Sequence, residues 1–384
     1  MAKTQIATII TQHLQFFSSL TQGWVACGGK SSLLKVFKLV NDKSSSPSHD
    51  ASSSLSFDVS VPFHPSFHQT LKGHSGKVTC LAWNSIYDKL ASSDENGLIV
   101  IWALNDDDNK WYEEMVNNGN NSLVSDMKWA CDGKKVCIAY ENGAVIVGSV
   151  DGTRLWENKL DGTVPSFRFI EWSPLGESIF LITSSSNEVK VLNSSGKHVK
   201  NISVFCHENK KKHKKALEEN VHVVSVHWHH GNKILALAFS NGYLQLRRHL
   251  SDSSPIAVNS NLQISCCRWN PNGTVLAVCG PSDTSTSFTN SEEERINNMV
   301  KFYSPKGIQL YTLPIPQQSA AINAGVTSLS WERSSLRIAM VIGDSIYFAN
   351  LRPDYEWAFF CSSTLVFADH QVSLLQTCSI ILWI

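Results

Sequence analysis

The stretch LKGHSGKVTCLAWNSIYDKLASSDENGLIVIW, Leu71 to Trp102, holds the pattern on which the chain is built. A run rich in β-branched and apolar residues, VTCLAW, ends at Trp83; a polar turn follows, and KLASS begins a second run. Asn96-Gly97 then interrupts the pattern ahead of a third run, LIVIW. Short runs of Val, Ile, Thr and aromatics between turn residues read as antiparallel strands, because such side chains suit a pleated, half-buried surface. Asn-Gly suits a type I′ hairpin turn, in which both central residues take positive φ.

The same layout recurs along the chain. Tryptophan closes a short run in CLAW (Trp83), DMKW (Trp129), FIEW (Trp172), SVHW (Trp228), CCRW (Trp269) and SLSW (Trp331), at spacings of 46, 43, 56, 41 and 62 residues. An apolar run follows each, such as KVCIAY, SIFLIT or TVLAVCG, and Asn142-Gly143 and Asn241-Gly242 repeat the second turn. Gly23 to Leu39 reads as the same two-strand core without a tryptophan strand ahead of it, which brings the count to seven units. A period of ~40–45 residues with three or four strands per unit is the signature of a β-propeller. A lone four-stranded sheet has two apolar faces, and neighbouring blades cover both.

The long spacings have local causes. Asn41 to Phe63, His207 to Lys215 and Pro281 to Asn298 are polar or charged stretches with too few apolar residues for a packed element, and they read as insertions. Within the second, Lys210, Lys211, Lys212, Lys214 and Lys215 form a candidate interaction loop for acidic partners, although such charge runs usually remain a solvated face.

Composition narrows the function. The 384 residues carry Lys+Arg 33 against Asp+Glu 33, so no net field steers the chain toward nucleic acid or an anionic membrane. No apolar run reaches the ~18 residues of a membrane span, so direct membrane insertion is not expected. The N-terminal apolar stretch is broken by Thr11, Gln12, His13 and Gln15, unlike a secretory leader, and the protein reads as soluble and intracellular. None of the ten cysteines forms a C-x-x-C pair, which points to free buried thiols in a reducing compartment and gives zinc nothing to build on. His222, His227, His229 and His230 lack an accompanying carboxylate or thiol at ligand spacing and read as structural. Glu113-Glu114, beside Trp111 and Tyr112, reads as hairpin surface. No nucleophile elbow, zinc-protease helix, Walker loop or dinucleotide fingerprint is present, so catalytic, metal and cofactor sites are each expected to be none.

Leu71 to Trp102 resembles a WD repeat, with Gly73-His74 opening the unit and Trp102 ending the third strand. That resemblance implies a structural hydrogen-bond chain through His74, Ser92, Asn96 and Trp102, with a neutral Asn96 where the family prefers Asp and hence a weaker tie. The fold expected is all-β, a seven-bladed WD-repeat β-propeller, imperfectly closed if no strand completes the ring. Gln5 to Thr11 (QIATIIT) is β-branched enough to close it by pairing with the unit holding Ile338 to Leu351; Thr364 to Ala368 is the competitor.

ENGLIVIW (Glu95 to Trp102), YEEMVNNGN (Tyr112 to Asn120), KKVCIAYENGAVIVGSVDGTRLW (Lys134 to Trp156) and SIYFANLRPDYEW (Ser345 to Trp357) are similar to the N-terminal propellers of the WD repeat-containing protein 35 family, subunits of intraflagellar transport complex A. The resemblance spans Gly23 to Cys361, so residues 1–22 and 362–384 are read as divergent flanks, and the chain as a truncated form. It implies a non-enzymatic protein-interaction scaffold supporting retrograde ciliary transport, cilium assembly and cargo entry. Its partners would be other complex A subunits and ciliary cargo proteins, and its place the cytoplasm, cilium, axoneme and basal body of the cytoskeleton. Two other readings stay open: the substrate-adaptor propeller of a tubby-like ubiquitin-ligase component, and a general cytoplasmic WD-repeat scaffold.

Overall fold

Each tryptophan run becomes the first strand of an antiparallel sheet. The structure, a computed structural model, describes residues 9–10, 15–16, 22–29, 32–40, 64–105, 107–118, 122–159, 167–183, 188–204, 221–229, 231–249, 251–282, 297–315, 325–332, 335, 337–342, 345–350, 355–360, 364–369 and 372–379. Blade two, which contains Leu71 to Trp102, pairs Val78–Asn84, Lys89–Asp94, Ile99–Asn105 and Lys110–Asn117 in sequence order. Blades three to six repeat that order, from Val124–Trp129, Phe167–Trp172, Val223–Trp228 and Cys266–Trp269 outward. Blade seven holds Val326–Trp331, Arg337–Ile342 and Ser345–Asn350. A further three-stranded sheet joins Tyr355–Phe360, Thr364–Asp369 and Val372–Ser379. Among the described residues, no helix is long and apolar enough to cross a membrane.

Alternation along each strand sends apolar side chains to both faces of a blade, where the neighbouring blades bury them. Seven apolar layers result, each shared by two consecutive blades. Trp24, Leu34 and Val36 of blade one meet Leu81, Trp83 and Trp102 of blade two. Ile179 and Leu181 of blade four meet Cys137 and Val145 of blade three. The seventh layer closes the ring: Val25 and Cys27 of blade one pack on Ala339 and Val341 of blade seven. Among the described residues this layer shows four buried residues, against eleven to thirteen in each of the others.

Two expectations change here. Ile9–Ile10 does not pair with the unit holding Ile338 to Leu351; it pairs with Gly28 and Cys27 and serves as the first strand of blade one. Thr364–Asp369 pairs only with its two sheet neighbours, so among the described residues neither terminus donates a closing strand to blade seven; residues 5–8 and 11 lie outside them. The physical reason is that side-chain packing across the seventh layer joins the ends without a shared ladder.

The Asn-Gly turns are also not type I′. Gly97, Gly143 and Gly242 have φ of 82°, 83° and 82°, whereas Asn96, Asn142 and Asn241 do not take positive φ. Gly97 N–H donates to Asp94 O at 3.0 Å, so the turn closes ahead of a left-handed glycine, as in longer hairpin loops. Asp94 Oδ1 accepts from Asn96 N at 3.0 Å and Leu98 N at 3.1 Å, which holds the asparagine on the ordinary side of φ.

Candidate functional site

Polar side chains buried within and between the blades fix how the strands meet. In blade two, Ser92 and Asp94 lie two apart on one strand and so share a face. His74 Nε2 lies 2.6 Å from Ser92 Oγ, and Trp102 Nε1–H donates to the same oxygen at 2.8 Å. His74 Nδ1 lies 3.3 Å from Asp94 Oδ2, within ion-pair reach but along a bent approach. Asn96 stands outside this chain: its Nδ2–H donates to Ser75 Oγ at 3.2 Å on the exposed side of the turn. The fourth member is therefore Asp94, a carboxylate, and the weaker neutral tie expected from Asn96 is corrected. Burial lowers the His74 pKa, with Asp94 and Glu113 pulling the other way. His74 and Asp94 side chains are both fully buried.

A second set of ties joins the blades. The first strands lie side by side around the ring, each with one edge unpaired in its own sheet. Exposed edge N–H groups need partners, and side chains of the preceding blade supply them. Asp126, three residues before Trp129, accepts from Ile170 N at 2.8 Å; Ser225, three before Trp228, accepts from Cys267 N at 3.0 Å. His227, one before Trp228, accepts from Trp269 N through Nδ1 at 2.9 Å, and Glu171 takes the backbone N–H of Trp228. The tryptophans complete the pattern in the reverse direction. Trp129, Trp172 and Trp331 donate Nε1–H to Ala82 O, Lys128 O and Arg268 O at 3.2, 3.0 and 3.1 Å.

Charged side chains also stand on these first strands. Glu171 is buried beside Lys128, 3.9 Å away, and desolvation raises its pKa to about 7 despite Lys128 and Arg268 nearby. Arg268 Nη1–H donates to Cys267 O at 2.9 Å and Val226 O at 3.2 Å. Sequence reasoning passed over Asp94, Asp126, Glu171, Ser225 and Arg268. Offsets of one and three residues before each repeating tryptophan would have found the last four.

Other residues fall into structural places. His229 Nε2–H donates to Pro271 O at 2.9 Å while Nδ1 accepts from Gly231 N and Asn232 N, so it ties blade five to the next turn. Burial lowers its pKa. Glu114 pairs with Lys89 at 2.5 Å, and Trp111 is buried against Trp24 and Trp83 at centroid distances of 5.6 and 5.0 Å. Lys210, Lys211, Lys212, Lys214, Lys215 and His230 lie outside the described residues, as do 41–63 and 283–296. Among the described residues, no group of three or more His, Cys, Asp or Glu is placed to hold a metal ion. Ile256 on the outer strand of blade five and Leu310 and Tyr311 on that of blade six are exposed, as is Ile308 just ahead of the latter.

Against known proteins, the family model described as WDR35/TULP4 N-terminal matches residues 5–352. The chain belongs to that propeller family. Rat WD repeat-containing protein 35 is 37% identical over 355 residues, which cover 90% of this chain and 28% of that protein; the human protein is 36% identical over the same length. Mouse Tubby-related protein 4 is 25% identical over 325 residues, covering 76% of this chain and 19% of that protein. The chain thus spans just over a quarter of the length of the WD repeat-containing relatives it matches. The solved β-propeller domain of Myceliophteria thermophila Cps50 (Swd1) superposes with a TM-score of 0.58 over 91% of this chain and 99% of that one. At 11% identity, that likeness shows the fold alone.

Proposed function

We propose that the chain is a non-enzymatic protein-interaction scaffold of intraflagellar transport complex A, supporting retrograde ciliary transport and the entry of cargo into cilia. One observation carries this reading: 37% identity to WD repeat-containing protein 35 over 355 residues, 90% of the chain. The buried polar chain and the inter-blade belt fit a rigid platform, whose rims and loops then carry recognition. Exposed Ile256 lies beside Gly307, next to exposed Ile308, and the two add apolar surface of the kind that marks protein contacts. Partners would be the other complex A subunits and ciliary cargo proteins, and the site of action the cytoplasm, axoneme and basal body.

The competing reading is the ubiquitin-ligase adaptor role expected for tubby-like propellers, favoured by the shared family and by 25% identity to Tubby-related protein 4. Affinity purification of the tagged full chain from ciliated cells separates the two. Recovery of complex A subunits supports the transport role. Recovery of cullin and elongin without them refutes it in favour of the ligase role.

A further inference from the structure

Blade six carries a pair of facing thiols to which the proposed scaffold role gives no chemical part. Its first strand begins Cys266-Cys267, and successive residues of a strand face opposite ways. Cys267 enters the apolar layer shared with blade five, whereas Cys266 enters the layer shared with blade seven. Cys279, on the second strand, lies directly opposite Cys266 and joins the same layer. In the strand ladders of the described residues no other cysteine faces a cysteine; the matching position in blade two sets Cys80 opposite Ser93.

The geometry is that of a bond waiting for an oxidant. The two sulfurs are 2.9 Å apart, about 0.9 Å beyond a covalent S–S length. Residues directly opposite on antiparallel strands have Cα atoms about 4.5–5.5 Å apart, inside the range a disulfide spans without backbone movement. Ser265 supports the site, its Oγ–H donating to Cys279 O at 3.1 Å and lying 3.5 Å from Cys279 Sγ. The two thiols are also unequal. The hydrogen bond with Cys279 raises the Cys266 pKa, so Cys266 keeps its proton. Burial opposes ionisation of Cys279, but hydrogen bonds from Cys266 and Ser265 bring it below its ordinary value.

We propose that Cys266 and Cys279 are a redox modification site, converted by peroxide into a reversible cross-strand disulfide within blade six. Cys279 thiolate attacks one oxygen of hydrogen peroxide; the O–O bond breaks, an S–O bond forms, and the departing hydroxide takes a proton to leave as water. The sulfur of Cys266 then attacks the Cys279 sulfenic acid; the S–S bond forms, the S–O bond breaks, and the hydroxyl departs with the Cys266 proton as a second water. Two thiols are oxidised by two electrons in all, and one peroxide is reduced to two waters. A thiol reductant reverses the bond by exchange. The first two strands of the blade are then joined covalently with the rest of the layer in place.

The test uses the reduced full chain treated with graded hydrogen peroxide, denatured in N-ethylmaleimide and mapped by peptide mass spectrometry. The expected result is a joined Cys266–Cys279 peptide two hydrogens lighter than its parts, a loss of two alkylatable thiols, and their return with dithiothreitol. Cys267→Ser keeps the link, because that thiol faces blade five; Cys279→Ser abolishes it and leaves Cys266 alkylated. Full alkylation of Cys266 and Cys279 at a peroxide dose that oxidises the half-buried Cys131 overturns the proposal. So does a link that runs through Cys267. The Cys267→Ser arm keeps the pair intact and decides the matter even if Cys279→Ser fails to fold.

Discussion

Replacing Asp94 with alanine tests the central correction to the expected hydrogen-bond chain. The carboxylate is fully buried and accepts two short backbone hydrogen bonds, from Asn96 N at 3.0 Å and Leu98 N at 3.1 Å. Ser75 N and Gly76 N approach its other oxygen at 3.4 Å each, beside His74. Bonds to a charged group contribute about 1.5–3 kcal/mol each, so the two short ones set the loss near ~4 kcal/mol, with the long ones adding little. That is a large part of a typical margin of about 5–15 kcal/mol. Asn96→Ala removes one exposed bond at 3.2 Å and costs about 0.5 kcal/mol. Asn96→Asp brings a second carboxylate to the turn that holds Asp94 and gives no gain. Urea unfolding of each full-length variant, followed by tryptophan fluorescence, measures the differences. If Asn96→Ala costs as much as Asp94→Ala, or Asn96→Asp stabilises the protein, then Asn96 is the working residue and the assignment fails.

Three further outcomes follow from the belt and the seam. Glu171 has a folded pKa raised from 4.5 to about 7, so the folded state holds the extra proton between those values. Its contribution is complete below pH 4.5 and lost as pH rises through about 7; relative to Glu171→Gln, wild-type stability should fall by about 3 kcal/mol across that window, and parallel pH curves would refute it. Trp172→Phe forfeits the bond to Lys128 O and should cost about 1 kcal/mol more than Trp269→Phe, since Trp269 Nε1 has no hydrogen-bond partner among the described residues; equal chemical-denaturation midpoints would contradict the inter-blade role. The strands bearing Val25, Cys27, Ala339 and Val341 should lose amide protection before those bearing Leu181 and Val278. Uniform exchange around the ring would show that the closing layer is not the weak seam.

Much of the architecture was legible because its cause is periodic. Trp83, Trp129, Trp172, Trp228, Trp269 and Trp331 recur because each packs into a layer between blades, three of them also bonding back to the preceding blade, and the apolar runs after them recur because both faces of every blade are buried. The polar belt was less legible. Asp126, Glu171, Ser225 and His227 differ in chemistry from blade to blade while doing one job, accepting an edge N–H, so no residue type repeats at those positions. Asp94 was hidden by the adjacent Asn-Gly, whose turn signal drew attention two residues too far along.

Strand content, unit count and family were thus determined by the sequence alone, since local alternation and turn chemistry act over a few residues at a time. Register, closure and pairing across blades were decided only in three dimensions. Whether Ile9–Ile10 begins the first blade or completes the last is a competition between two distant ladders. That Cys266 faces Cys279, or that Val25 meets Val341, depends on how residues far apart along the chain come to share one side of a sheet. Short-range propensity is blind to such choices, because their energies arise when side chains remote in sequence exclude water together.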